Sequence, residues 1–190
     1  MTTLWDLLRH PIAPRAKLKP LAPSLRPASR QISRARPAQL RYETMQREML
    51  SRYQIRVRKW RNSTSGVAWQ VTYRDGTVAR LIESPRPCGP VSAAVFLHEI
   101  GHHAIGFNVF SPRCLEERQA WCFALDQMEA WNLTITDAVR KRVHQSLVYA
   151  VAKARRRGLK SLPAVLVPYL RETEGGTFLD PRSSDANGPS

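Results

Sequence analysis

The hydrophobic pattern of the central chain changes from a helical period to the period of β-strands. Apolar residues recur every three or four positions from Tyr42 to Tyr53, which predicts a first helix. Apolar and polar residues then alternate in two segments, residues 55–58 and 67–73, as in half-buried strands. Residues 77–84 supply a third strand. Asp75-Gly76 suits a tight turn with positive φ, so the last two should pair as a hairpin within a small antiparallel three-stranded sheet.

Segments with helical spacing follow the predicted sheet. The apolar run Val91–Ile105 predicts a helix that ends at Gly106, and Ser111-Pro112 supplies an N-cap and a first helical residue for the next helix. The later helices are expected from there to about residue 131, from Thr136 to the cations and glycine of residues 155–158, and, as a short element, over 162–170. Strands followed by helices predict an α+β fold.

The N-terminal segment differs from the rest in composition and charge. It is rich in Pro, Ser and Arg and lacks an apolar period, which predicts a disordered basic arm at residues 1–41. The arm holds nine Lys or Arg against one acid, Asp6, and so carries +8 of the net charge of +15. An organelle transit peptide has a similar composition, but the prolines would interrupt its amphipathic helix. We expect a folded domain at residues 42–171 and a disordered tail at 172–190.

The cysteines and the apolar runs bear on the compartment. Cys88, Cys114 and Cys122 are odd in number and lack the paired spacing of a disulfide framework or a CxxC zinc site. No segment approaches the roughly 18 consecutive apolar residues that span a bilayer, and the first ten residues do not resemble a signal peptide. We therefore expect a cytoplasmic protein that does not bind a membrane.

The run His98-Glu99-Ile100-Gly101-His102 is the strongest chemical signal in the chain. Residues four apart lie on one face of a helix, so both imidazoles can bind one metal ion with Glu99 beside it. A catalytic zinc site has three protein ligands and leaves a fourth position to water. The run predicts two zinc ligands, His98 and His102, and a general base, Glu99, for the hydrolysis of an amide bond. Buried or exposed histidines held by ordinary hydrogen bonds are the alternative interpretation.

The third metal ligand is not fixed by this run. A metzincin would have Gly and then His where this chain has Ile105 and Asn108, so that pattern is excluded. The next predicted helix carries Glu116 and Glu117 near its start, and a helix-turn-helix connection can return it to the metal. Asp126 and His144 are further alternatives. Either Glu could instead be a solvated acid that the helix dipole favours.

The predicted helix that carries Glu116 and Glu117 resembles part of a known family. Glu117 is followed by Arg118-Gln119-Ala120-Trp121-Cys122-Phe123-Ala124, and this segment downstream of the HExxH run resembles the ImmA/IrrE-type metallopeptidases. The likeness covers about residues 42–131 and implies a zincin-like fold, a bound zinc ion, peptidase activity and Glu117 as the third ligand. The chain departs from the family at Gln119, where an acid is common, and in a short spacing before Glu117.

Several residues outside the run have two interpretations each. In zincin-like folds an edge strand before the metal helix holds the substrate backbone, and the strand 77–84 is the expected one. Its Arg80 would contact substrate acids or protect the sheet edge. Tyr149 and His144 are candidates for stabilising the transition state, although a structural role suits each. We expect His103 behind the metal ligands or at the surface, and Trp121 in the core.

The chemistry and the charge lead to two functional hypotheses. The first is a zinc-dependent metallopeptidase that acts on a protein or peptide. The second is a DNA-associated regulatory or binding protein that keeps the fold without turnover. The basic arm would neutralise phosphates and contact nucleic acid without sequence selectivity in either case. Glu99 favours the enzyme, because a structural zinc site is usually closed by four protein ligands and needs no adjacent base.

Overall fold

The computed structural model describes residues 37–170, 178 and 180–182, and it has a mixed α+β fold. The elements are α1 (Pro37–Arg52), β1 (Ile55–Arg61), β2 (Val67–Thr72), β3 (Val78–Pro85), α2 (Pro90–Ile105), α3 (Arg113–Ala130) and α4 (Asp137–Arg156), followed by a 3₁₀ helix (Ala164–Tyr169). One apolar core joins the helices to the inner face of the sheet. No helix within these ranges combines the length and the apolar character needed to cross a bilayer.

The first helix begins earlier than its apolar spacing predicts. α1 starts at Pro37, so residues 37–41, which the composition assigned to the arm, are helical. Arg41 also donates a hydrogen bond to the Asn132 carbonyl at 2.7 Å, which ties the start of α1 to the end of α3. Proline suits a first helical turn because its missing N–H has no partner there in any helix. The predicted disorder of residues 1–36 lies outside the described residues.

The sheet is mixed, and the prediction of a fully antiparallel sheet is wrong. β2 and β3 form the expected antiparallel hairpin, but β1 pairs with the other side of β3 in parallel, giving the order β1-β3-β2. β3 is central because it carries the buried positions Ala79, Ile82 and Ser84, whereas β1 and β2 are largely exposed. The strand expected to hold substrate at an edge, β3, is therefore interior, and β1 and β2 are the edge strands.

The position of Arg80 follows from this strand order. Its guanidinium donates to the Tyr53 carbonyl at 3.2 Å, at the junction of α1 and β1. Because β3 has a partner on both sides, Arg80 protects no edge, and it does not line the cleft described below. Both roles proposed for Arg80 from the sequence are therefore wrong, and its observed contact is structural.

Helices α2 and α3 cross at very short range. A Cβ atom at Gly101 would lie 2.8 Å from the backbone oxygen of Ala120 and 3.1 Å from Phe123, so only glycine permits this approach. Ala120 and Ala124 on the facing helix are fully buried. Pro112 is the N-cap of α3, a role predicted for Ser111. The helix therefore begins one residue later than predicted, at Arg113. The crossing places the first turn of α3 against the middle of α2.

The last elements complete the core. Thr136 caps α4 by accepting a hydrogen bond from the Val139 N–H, and Gly158 follows the helix with a φ of +91°. Residues 180–182 fold back onto α3, where Arg182 pairs with Asp126 at 3.2 Å and with Glu129 at 2.8 Å. Apart from Phe178, the remainder of the predicted disordered tail, from 172 on, lies outside the described residues.

Candidate metal centre

The residues of the HExxH run lie in the middle of α2, the most buried helix. His98, Glu99 and His102 are each no more than 5% exposed, although all three are polar. Burial of three polar side chains is costly unless they have partners. The partners come mainly from the start of α3, which the Gly101 crossing brings alongside.

Three potential ligands converge between α2 and α3. Oε2 of Glu117 lies 3.4 Å from Nε2 of His98 and 3.6 Å from Nε2 of His102. The ligand atoms of the three side chains all lie within 4.8 Å of one another. Tetrahedral zinc with bonds of about 2.0 to 2.2 Å separates its ligand atoms by about 3.3 to 3.6 Å, so these separations fit a small metal ion. This group could bind a metal ion.

The protonation states of these side chains suit a cation. Burial lowers the pKa of His98 to about 4, so its imidazole is neutral. Burial opposes ionisation of Glu117, but hydrogen bonds with His102 and His98 outweigh it and hold the pKa of Glu117 well below its usual range. Burial likewise opposes a charge on His102, yet the neighbouring Glu117 raises the pKa of His102. The site therefore combines a carboxylate with an environment that attracts positive charge.

The structure separates the two glutamates that the sequence left as alternatives. Glu117 faces both Nε2 atoms, whereas Glu116 lies behind His102, with Oε1 3.5 Å from Nδ1 of that ring. Its other oxygen accepts the Asn108 N–H at 2.8 Å, which fixes this buried carboxylate. A carboxylate on the far nitrogen orients a metal-binding imidazole and sets its tautomer. Glu117 therefore belongs to the group that could bind a metal ion, whereas Glu116 lies next to the far nitrogen of His102.

The two remaining ligand alternatives lie elsewhere. Asp126 pairs with Arg182 on the outer side of α3. His144 is buried beside the rings of Tyr169 and Phe178, at centroid distances of 5.4 and 5.7 Å, and does not line the cleft. His144 is therefore excluded as a transition-state partner in this arrangement, whereas Tyr149 lines the cleft.

Neighbouring side chains hold the histidines of α2. The indole of Trp121 stacks on the imidazole of His98 at 4.1 Å between centroids, so this core residue also orients a potential ligand. His103 is buried rather than at the surface, and its Nε2–H donates to the Leu81 carbonyl at 3.1 Å. Burial lowers the pKa of His103 to about 4, so it links α2 to β3 as a neutral ring.

The carboxyl group of Glu99 lies against Gly66, the residue just before β2, and Glu99 lines the same cleft as the three potential ligands. A Cβ atom at Gly66 would lie 2.5 Å from Cγ and 2.6 Å from Cδ of Glu99, so the carboxyl group occupies the space that any other residue at 66 would fill. Burial raises the pKa of Glu99 to about 8. A cation in the site would oppose this effect and favour the carboxylate.

Glu99 and the three potential ligands line a cleft of about 750 Å³. Its walls are the β1–β2 loop, β2, α2, the start of α3 and one face of α4. Arg142 from α4 crosses it and donates to the Thr64 carbonyl, with Nε at 3.2 Å and a terminal nitrogen at 3.1 Å. Its guanidinium carbon lies 5.9 Å from the Trp121 ring centroid. Arg142 was not predicted from the sequence, although a second, polar stripe on α4 recurs at helical spacing and consists of Arg142, Ser146, Tyr149 and Lys153.

Comparison of the chain with protein-family models, with curated proteins and with solved structures finds no match in any of the three. The likeness to the ImmA/IrrE-type metallopeptidases therefore depends on the residues of α2 and α3 themselves. The chain is a mixed α+β protein in which His98, His102 and Glu117 form a group that could bind a metal ion.

Proposed function

We propose that this protein is a zinc-dependent metallopeptidase with a zincin-like fold, similar to the ImmA/IrrE-type enzymes. The observation that carries the proposal is the convergence of His98, His102 and Glu117 within 4.8 Å beside the buried Glu99, at the floor of an open cleft. A purely structural zinc site would have a fourth protein ligand and no need of a cleft.

The donor set favours zinc over harder cations. Two imidazole nitrogens and one carboxylate suit zinc, whereas magnesium and calcium prefer oxygen ligands throughout. When bound, zinc supplies a Lewis acid that lowers the pKa of water to about 7 and polarises a carbonyl group. The centre would thus provide a nucleophile and an activated substrate at neutral pH.

The chain's own residues have separable tasks in this proposal. Glu99 accepts a proton from water and delivers it to the leaving amine, so its carboxylate must face the reacting atoms. β2 is the sheet edge at the cleft, and its outer backbone groups can pair with an extended substrate. Arg142, tethered above Trp121, brings a positive charge to the same space, where negative charge develops on the carbonyl oxygen.

Metal removal and restoration test the proposal. The purified full-length chain should contain about one zinc per molecule and cleave members of a library of internally quenched peptides. Chelation should abolish cleavage, and added zinc should restore it, whereas magnesium should not. A protein that binds no transition metal, or that holds zinc and cleaves no member of the library, contradicts the proposed activity.

Gly66 provides a test of the position of Glu99. The Gly66→Ala substitution should displace the Glu99 carboxyl group and reduce cleavage about 10- to 100-fold, since a shift of about 1 Å can cost that much in rate. Zinc content, measured by elemental analysis, should not change, because the atoms nearest to a Cβ at Gly66 belong to Glu99 and not to a potential ligand. Gly89→Ala is the matched control, since a Cβ there would meet no atom within 4 Å. Equal rates in the two variants would exclude a positioning role for Gly66.

A further inference from the structure

The charged residues that line the cleft are distributed unequally. Its carboxylates are Glu99 and Glu117, which the proposed mechanism already uses, whereas four cations line it. The cations are Arg113, Arg142, Lys153 and Arg157. Arg113 lies within 4.0 Å of Glu116 and Glu117, so part of its charge is balanced inside the centre. The other three lie on α4 and at its C-terminal end.

The two outer cations have no acidic partner in the part of the chain that the structure describes. Neither Lys153 nor Arg157 forms an ion pair with a described residue, and both are exposed. The ammonium group of Lys153 lies 5.9 Å from the ring centroid of Tyr149, which is itself 61% exposed. Cations at the end of a helix are favourable for its dipole wherever they point. The dipole does not explain why these two face the cleft while Arg155 and Arg156 do not line it.

The distances from Arg142 to Lys153 and Arg157 along α4 can be converted into a number of residues of an extended substrate. Arg142 marks the inner end, because it lies over the indole that stacks on His98. With a rise of 1.5 Å per residue, Lys153 and Arg157 are about 16 and 22 Å further along the axis of α4. An extended peptide advances about 3.3 Å per residue, so a peptide that runs along α4 with its cleaved bond beside Arg142 would bring side chains about five and seven positions away to Lys153 and Arg157.

We propose, on the basis of the proposed peptidase function, that the cleft selects peptides with acidic side chains about five to seven residues from the scissile bond, which pair with Lys153 and Arg157. An exposed ion pair changes affinity by a factor of about 1.5 to 5, so two pairs yield a preference of about tenfold over a neutral peptide. This preference should fall as ionic strength rises.

Binding to a form that cannot turn over is the direct test. The zinc-loaded, full-length Glu99→Gln variant is titrated with fluorescent peptides of one neutral sequence that carry two Glu, two Gln or two Lys at these positions, on either side of the centre. Fluorescence anisotropy should give about tenfold tighter binding for the Glu peptide on one side. Equal affinity for the three peptides on both sides overturns the proposal.

Two charge-reversal variants locate the preference. Lys153→Glu with Arg157→Glu should abolish the preference and improve binding of the Lys peptide, whereas Arg155→Glu with Arg156→Glu, with the same change in net charge, should retain it. Loss of the preference in both variants would assign it to the basic chain as a whole. The binding of a single-stranded oligonucleotide is measured in the same way. If it binds more tightly than the Glu peptide, and only Lys153→Glu with Arg157→Glu weakens its binding, the proposal that the ligand is a peptide is overturned.

Cleavage by the wild-type protein is measured separately with the same peptides. Tight, Lys153-dependent binding of the Glu peptide without any cleavage supports the binding preference and refutes the peptidase. Cleavage of the Gln and Glu peptides with equal kcat/KM supports the peptidase and refutes the preference.

Discussion

The Glu99→Gln variant should bind zinc as the wild-type chain does and lose cleavage by a factor of about 100 to 10,000, the range that a general base contributes. Gln has nearly the same shape as Glu, so it should fit against Gly66 without displacing α2. It cannot take a proton from water at neutral pH. Elemental analysis should report the metal content, and initial rates on the best library peptide should report the loss.

Glu48→Gln is the matched control for this substitution. Glu48 lies exposed on α1, far in sequence from α2 and outside the lining of the cleft, and the change in charge is the same. Its rate should equal that of the wild-type protein. If Glu99→Gln retains a rate within a few-fold of the wild type, another group accepts the proton and the role assigned to Glu99 is wrong.

The Glu117→Ala variant should have the largest effect on metal affinity. A complete zinc site contributes about 10 to 16 kcal/mol, and one of three or four ligands accounts for enough of it to weaken binding on the order of a thousandfold. The neighbouring Glu116→Ala removes a carboxylate from the same turn but only loosens His102, which should weaken binding about 10- to 100-fold.

Competition with a zinc indicator measures both affinities under one condition. The order of the two effects is the informative result, since both variants remove one negative charge within one turn of α3. A larger loss in Glu116→Ala than in Glu117→Ala would exchange the roles of ligand and positioning residue. Unchanged zinc affinity in both variants would leave the proposed centre without a third protein ligand from α3.

The order of the strands could not be predicted from local patterns. The turn at Asp75-Gly76 fixes the hairpin of β2 and β3 within a few residues, so its prediction is confirmed. The parallel pairing of β1 with β3 is non-local and depends on which strand buries the most surface against α2. Alternation of apolar and polar residues reports a face of a strand and not its neighbours, so the antiparallel prediction for β1 failed.

The candidate site was partly predictable for a similar reason. His98, Glu99 and His102 are close in sequence and share a helix, so their spacing predicts their proximity. The prediction of Glu117 required two further arguments, the helix-turn-helix connection and the family resemblance. The contributions of Gly66 and Arg142 depend on the β1–β2 loop meeting α2 and α4, and in the sequence they are a loop glycine and one cation among 30 Lys and Arg residues.

The close crossing at Gly101 has a consequence for how the centre would respond to its ion. Because two helical backbones meet there without an intervening side chain, the imidazoles and the carboxylate are brought together by the fold itself. The conformational entropy of arranging them is then lost when the chain folds, and ion capture adds little ordering. If the group binds a metal ion as proposed, such a preorganised centre would release and regain that ion while the surrounding core stays intact, unlike a small zinc finger that unfolds without its ion.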